Sequence, residues 1–134
     1  MDVRTYYEDT DAAGVVYHAN YLKFFERART EYFREKGLSV AELAAAGFIF
    51  PVVRMEIDFK SPARHDDLLN VETAMERSSG SSFTLRQHIF RKHDNRLLVS
   101  AQVKLACIGV DLKVRRIPSD VRNILKSAAD AGPE

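Results

Sequence analysis

Apolar residues are spaced in two different ways along the chain, and the change falls near residue 50. Between residues 20 and 36 they recur every three or four positions, which is the period of a helix with one buried face. Gly37 is a stop signal for such a helix. The pattern predicts one long helix beginning at Asn20 or Tyr21. Its buried face carries Tyr21, Phe24, Phe25, Ala28 and Tyr32.

Two shorter elements flank this helix. Ser39 and Glu42 have the spacing of a capping box, so a second helix is predicted to start there and to end at Gly47. Residues 3–7 alternate weakly between polar and apolar and predict a short strand. Residues 9–18, between that strand and the long helix, have no regular period and predict a loop.

Beyond residue 50 the apolar period changes to two, which is the period of strands with one buried face. Strands are predicted at 53–60, 68–77, 82–92 and 97–110, with an edge segment at 113–117. The turns between the later strands are short, so neighbouring strands are antiparallel. The inward side chains of the first two are Val53, Met55, Ile57, Phe59, Leu69, Val71, Thr73 and Met75.

The chain ends in a predicted short helix that Pro118 and Ser119 begin, with Val121, Ile124 and Leu125 on its buried face. The apolar face of a sheet must be covered, and the aromatic face of the long helix is suited to cover it. The predicted fold is therefore α+β, with a curved antiparallel sheet of five or six strands wrapped around the long helix. We expect one domain over residues 1–134, with a flexible tail from about residue 128.

Composition narrows the functional classes. A formal net charge of +1 weighs against nucleic acid or an anionic membrane as the main partner. The single cysteine, Cys107, excludes an internal disulfide and is predicted to be a buried, inert thiol. No apolar run approaches the roughly 20 residues of a membrane span, and the N-terminus lacks a secretory pattern. We expect a cytoplasmic protein without membrane insertion. The four histidines lack metal-ligand spacing, so no metal is expected.

The loop before the long helix is the strongest candidate for chemistry. It contains the carboxylates Asp9 and Asp11, the flexible Gly14 and, at the helix start, His18. The first N–H groups of a helix have no intrahelical partner, and that end carries about half a positive charge. It can polarise a carbonyl while a carboxylate attacks the carbon or activates water. Equally, Asp residues in this position cap helices and form turns, so these residues alone leave both interpretations open.

A longer motif decides between them. The segment "YYEDTDAAGVVYHANYLKFFERAR", residues 6–29, closely resembles the signature of the 4-hydroxybenzoyl-CoA thioesterase-like branch of the hotdog fold. The subgroup it most resembles is the tol-pal-associated acyl-CoA thioesterases. Residues 50–69 and "IP" at 117–118 extend the resemblance, so that it covers the chain from Arg4 to about Lys126.

This resemblance implies roles for particular residues. The family's catalytic carboxylate precedes the signature glycine by three positions, which is Asp11 here and leaves Asp9 structural. In the family, the backbone N–H that polarises the thioester carbonyl lies seven positions after the catalytic Asp, and here this is the N–H of His18. The side chains of His18 and Tyr7 are implicated too. The family also pairs two subunits edge to edge, with sites at the interface, so a homodimer or homotetramer is expected.

Coenzyme A brings several phosphate charges, so a cationic rim is expected around its site. The candidates are Ser82 and Arg116, ranked first, with Arg64 and Ser81; solvated surface side chains are the alternative interpretation of each. CoA enters as part of the substrate, and no separate cofactor is expected.

The resemblance therefore implies hydrolysis of a short- to medium-chain acyl-CoA. Aromatic acyl-CoA of the hydroxybenzoyl type and acyl-carrier-protein thioesters are alternative substrates. A non-catalytic module that binds acyl-CoA or acyl carrier protein is a different class, as is a hotdog dehydratase, whose motif is absent.

Overall fold

The structure is a computed structural model that describes residues 1–131, with side chains up to residue 126. In chain order its elements are β1 (Asp2–Arg4), a 3-10 turn (Tyr7–Asp9), α1 (Asn20–Glu35), α2 (Val40–Ala45), β2 (Val52–Phe59), β3 (Leu68–Ser78), β4 (Ser82–Arg91), β5 (Arg96–Ala106) and α3 (Ser119–Ala131). The predicted flexible tail, from about residue 128, lies beyond the described side chains and stays a prediction.

The five strands form one antiparallel sheet in the order β1-β3-β4-β5-β2. The long helix α1 supplies the other half of the core, where Tyr21, Phe24, Phe25, Ala28 and Phe33 are buried. From the sheet side, the core includes Leu69, Val71 and Met75 of β3, as the two-residue period predicted, whereas Thr73 is half-buried. The predicted α+β architecture, a long helix against an antiparallel sheet with a C-terminal helix, is confirmed.

Several details of the sequence prediction are wrong. On α1, Phe33 is buried and Tyr32 is only half-buried, because the buried row continues at four-residue spacing through Phe25, Arg29 and Phe33. Residues 113–117 form no strand, and Val114 makes one isolated bridge to Ile108. In α3, Val121 and Leu125 are buried, whereas Ile124 is exposed.

The largest departure concerns β2, which forms an outer edge of the sheet. Its predicted inward residues Val53 and Phe59 are 55% and 52% exposed, because β5 flanks β2 on one side only and a bulge between Val52 and Arg54 shifts the alternation at Val53. An edge strand with exposed apolar side chains is a ready surface for strand pairing.

One polar contact lies inside the core and was not predicted. Arg29 on α1 is buried and donates from Nη1 to Gln87 Oε1 over 3.1 Å. Gln87 Nε2 in turn donates to the carbonyl of Phe25 over 3.0 Å and to Thr73 Oγ1 over 2.9 Å. Burial lowers the pKa of the Arg29 guanidinium. These bonds fix the position of α1 along β3 and β4.

Two further findings concern the rest of the chain. Cys107 is fully buried, as predicted, and burial raises the pKa of its thiol. Among residues 1–131, no helix is long and apolar enough to cross a membrane.

Candidate active site

The loop before α1 folds back on itself as a small hairpin. Thr10 bridges Val16, the Asp11 N–H donates to the Val15 carbonyl over 2.9 Å, and the Tyr17 N–H donates to the Asp9 carbonyl over 2.8 Å. Gly14 turns the chain with a φ of +80°, in the left-handed region that glycine tolerates. The Val16 N–H also donates to the carbonyl of Ala63 over 2.8 Å. The loop is therefore held against the segment before β3.

Asp9 has the environment of a structural residue. Its Oδ2 accepts from the Tyr6 N–H and its Oδ1 from Asn20 Nδ2, both over 2.8 Å. Asn20 is the first residue of α1, so this carboxylate ties the 3-10 turn to the start of the helix.

Asp11 differs, although it lies only two positions further on. It is exposed, and its Oδ1 accepts from the Ala13 N–H over 2.9 Å. Its Oδ2 has no hydrogen-bond partner among the described residues. One oxygen is thus oriented by the turn, and the other is available to a proton or to a carbon atom.

The start of α1 leaves N–H groups available. The helix begins at Asn20, and the His18 carbonyl accepts from the Tyr21 N–H over 3.4 Å. Within residues 1–131, the N–H groups of His18 and Ala19 donate to no backbone carbonyl. Such groups, at the positive end of a helix, are suited to bind a polarised carbonyl oxygen.

A cavity of about 250 Å³ opens beside His18. Its aromatic walls are Tyr21 and Phe59, with ring centroids 5.9 Å apart, and the His18 ring lies 6.1 Å from that of Phe59. The remaining lining residues are Val16, Lys60, Ser61 and Pro62. The Tyr21 hydroxyl accepts from the Ala63 N–H over 3.0 Å, and burial raises its pKa. This small, largely apolar space is suited to an acyl group.

Tyr7 lies in the 3-10 turn and is 81% exposed. Its ring lies 4.9 Å from that of His65, a neighbour that the sequence analysis did not single out. No hydrogen bond joins the side chains of Tyr7, Asp11 and His18 in the described chain. The predicted role of Tyr7 stays a prediction.

Three of the four candidate CoA residues lie together. Ser82 begins β4, and its Oγ lies 2.9 Å from Ser79 Oγ. A Cβ on Gly80 would lie only 3.2 Å from Arg116 Nη1, so this guanidinium rests on the turn that contains Ser81. The turn is also held to the segment before α3, because the Ile117 N–H donates to the Gly80 carbonyl over 2.8 Å.

Arg64, the fourth candidate, lies elsewhere. It bridges Val15 of the loop, and its N–H donates to Asp67 Oδ2 over 2.9 Å. β3, which separates the two places, has 11 residues and therefore spans roughly 33 Å. In one subunit, Arg64 and Ser82 thus lie at opposite ends of the sheet. Among the described residues no three His, Cys, Asp or Glu side chains are grouped as metal ligands.

The model of the thioesterase-like superfamily matches residues 6–125. The chain belongs to this family. It is 42% identical over 120 residues to the acyl-CoA thioester hydrolase YbgC of Escherichia coli O6:H1, which covers 89% of each chain. This likeness confirms the predicted relation to the tol-pal-associated subgroup and to thioester hydrolases.

Solved structures of family members have the same fold. A probable thioesterase from Bartonella henselae is 41% identical, with a TM-score of 0.82 over 88% of this chain and 97% of its own. A 1,4-dihydroxy-2-naphthoyl-CoA thioesterase from Synechocystis is 27% identical, with a TM-score of 0.86 over 94% of this chain and 93% of its own. The predicted hotdog fold is confirmed.

Proposed function

We propose that the protein hydrolyses short- to medium-chain acyl-CoA thioesters to a free acid and CoA. The observation that carries this proposal is the arrangement around the loop. It combines an Asp11 carboxylate oxygen that has no partner among the described residues, available N–H groups at the start of α1, and an apolar cavity beside His18.

In this mechanism the His18 N–H donates to the thioester oxygen and draws electrons from the carbonyl carbon. Asp11 then acts from the opposite face. As a nucleophile it forms a mixed anhydride and expels the CoA thiolate, and water opens the anhydride. As a general base it removes a proton from the water that attacks the carbon. The His18 and Tyr7 side chains would orient the water or the substrate.

An aromatic acyl group is a second candidate substrate, favoured by the cavity walls. The rings of His18, Tyr21 and Phe59 surround the space, and aromatic pairs gain energy beyond the burial of their area. The related Synechocystis enzyme acts on an aromatic acyl-CoA.

We also propose that two copies pair through β2, which gives a homodimer or, by further pairing, a homotetramer. A two-fold axis would place the Val52 end of one β2 beside the Phe59 end of the other. Val52 pairs with Leu105, which pairs with Phe83 next to Ser82. The group of Ser81, Ser82 and Arg116 in one subunit would thereby approach the catalytic loop of the other and bind the CoA phosphates there. Arg64 would come from the subunit that supplies the catalytic loop.

Acyl-carrier-protein thioesters fit the same chemistry, and a non-catalytic binding module fits the cavity alone. The Asp11 environment argues against the second, because binding gains nothing from an available carboxylate beside a thioester. A cytoplasmic location stays a prediction.

Thiol release tests this proposal. Wild type and Asp11→Asn would be followed with a chromogenic thiol reagent across aliphatic acyl-CoA chain lengths and benzoyl-type thioesters. We expect hydrolysis that peaks at one acyl class and disappears in the variant. A folded wild type that releases no thiol would support the binding module or carrier-protein substrates instead.

A further inference from the structure

The two aromatic walls of the cavity beside His18 are held very differently. Tyr21 is 3% exposed, lies on α1, and is tied through its hydroxyl to the Ala63 N–H. Phe59 is the last residue of an edge strand and is half exposed. One wall is therefore fixed by packing and a hydrogen bond, whereas the other is half exposed in a single subunit, at the edge where β2 of a second copy would pair.

We propose that Phe59 sets the longest acyl chain that the site accepts. This inference rests on the proposed function, in which the acyl chain extends from a carbonyl bound at the His18 N–H. The cavity of about 250 Å³ is smaller than the roughly 300–1,000 Å³ of typical small-molecule pockets. A chain that fills it meets the Phe59 ring on the side of the β2 edge.

The opposite side offers no comparable room. Val16 is buried and held to Ala63 by its N–H, and Tyr21 packs edge-on against Phe24 with ring centroids 6.2 Å apart. Extending the cavity there would require displacing the core at the start of α1, which is close-packed. Removing the Phe59 ring extends the cavity toward the β2 edge without displacing that core, into a space that the partner's β2 would border in the proposed dimer.

The experiment compares Phe59→Ala and Phe59→Leu with wild type. Val53→Ala is the matched control, because Val53 lies on the same edge strand and is similarly exposed, yet does not line the cavity. Two quantities are measured for each protein, from acetyl to dodecanoyl. One is kcat/KM for the acyl-CoA, and the other is Kd for the S-alkyl-CoA thioether, which cannot be hydrolysed.

For Phe59→Ala we expect the preferred chain to lengthen by about two carbons, and the ratio of long-chain to short-chain kcat/KM to rise about tenfold. Thioether affinities should shift in the same direction. The chain-length preference of Phe59→Leu should lie between those of wild type and Phe59→Ala. Val53→Ala should keep the wild-type dependence on chain length.

A Phe59→Ala profile parallel to that of wild type would overturn the inference. So would the same shift in Val53→Ala, since the cause would then be the strand edge and not the ring. Failure of the proposed function is recognised separately, as absence of turnover in wild type or full turnover in Asp11→Asn. Even then the thioether affinities decide the role of Phe59, because they need no catalysis.

Discussion

The two ends of the sheet differ in what they leave available to a substrate. The end that we propose as catalytic, called the catalytic end below, comprises residues 9–18 together with Phe59 and presents a carboxylate oxygen and the N–H groups at the start of a helix. The end that we propose to bind the CoA phosphates, called the phosphate end below, comprises residues 79–82 together with Arg116 and presents hydroxyls and a guanidinium. If the proposed roles hold, bond cleavage and recognition of the CoA nucleotide use opposite ends of the sheet of any one subunit, and the two ends meet only across the proposed dimer. Substitutions at the two ends should therefore change different kinetic constants.

The largest expected effect is at the catalytic end. Asp11→Asn keeps an oxygen that accepts from the Ala13 N–H but removes the negative charge that attacks or deprotonates. We expect kcat to fall by about 10³-fold. Steady-state kinetics check this, and unchanged thioether affinity and melting temperature serve as controls. A drop in affinity of the same size would mean that Asp11 acts in binding.

Asp9→Asn should affect stability instead. It leaves one of two donors, the Tyr6 N–H or Asn20 Nδ2, without its charged acceptor, at a cost of about 2 kcal/mol. Denaturant unfolding measures this loss. We expect kcat to stay close to the wild-type value in the folded fraction, and a loss of kcat at full stability would exchange the roles of the two carboxylates.

At the phosphate end, Arg116→Ala should raise KM about tenfold and leave kcat unchanged, because the CoA phosphates remain the same distance from the bond that breaks.

The separation of the two ends also predicts complementation. A subunit with Asp11→Asn and one with Arg116→Ala, refolded together, should form one complete site if sites are shared across the dimer. Activity at low substrate would then exceed that of either variant, and its absence would contradict a site shared across the dimer.

The smallest effect is expected in the hairpin before Arg116. Leu112 has a φ of +66°, which is unfavourable for a leucine. Leu112→Gly should raise the free energy of unfolding by less than about 1 kcal/mol, because relief of strain is offset by greater freedom of the unfolded chain. Chemical denaturation measures it. Neither kcat nor KM should move, which makes this variant a control for Arg116→Ala.

Most of the fold could be predicted because local pattern and burial agree. The three-and-four spacing of α1 and the two-residue period of β3 both correspond to the faces that are buried. β2 has the same period as β3, but Phe59 and Val53 are exposed, because a period does not say whether a strand is central or at an edge. Arg29 was missed for a related reason. A charged residue on a helix is predicted to be exposed. Burial of Arg29 is tolerated because its guanidinium donates a hydrogen bond to Gln87, which lies 58 positions away in the sequence.

The site was less predictable than the fold. Residue types alone did not separate Asp9 from Asp11. The family resemblance chose Asp11, and this choice stays a prediction; the structure shows two side-chain hydrogen bonds to Asp9 and one to Asp11. The sequence could not predict that Arg64 lies far from Ser82 and Arg116, because that distance depends on the end of β3 beside which each residue lies. The neighbour of Tyr7, His65, also comes from a distant segment.

The buried thiol of Cys107 has a practical consequence. The chain has one cysteine, so a reagent that reports released CoA finds no competing protein thiol while the fold is closed. When the core opens, that same sulfur becomes reactive, because the thiol can then ionise to a thiolate and the reagent can reach it. Labelling rates under native conditions would then measure how often β5 and its neighbours separate. The same chemistry would follow both turnover and the opening of the fold that supports it.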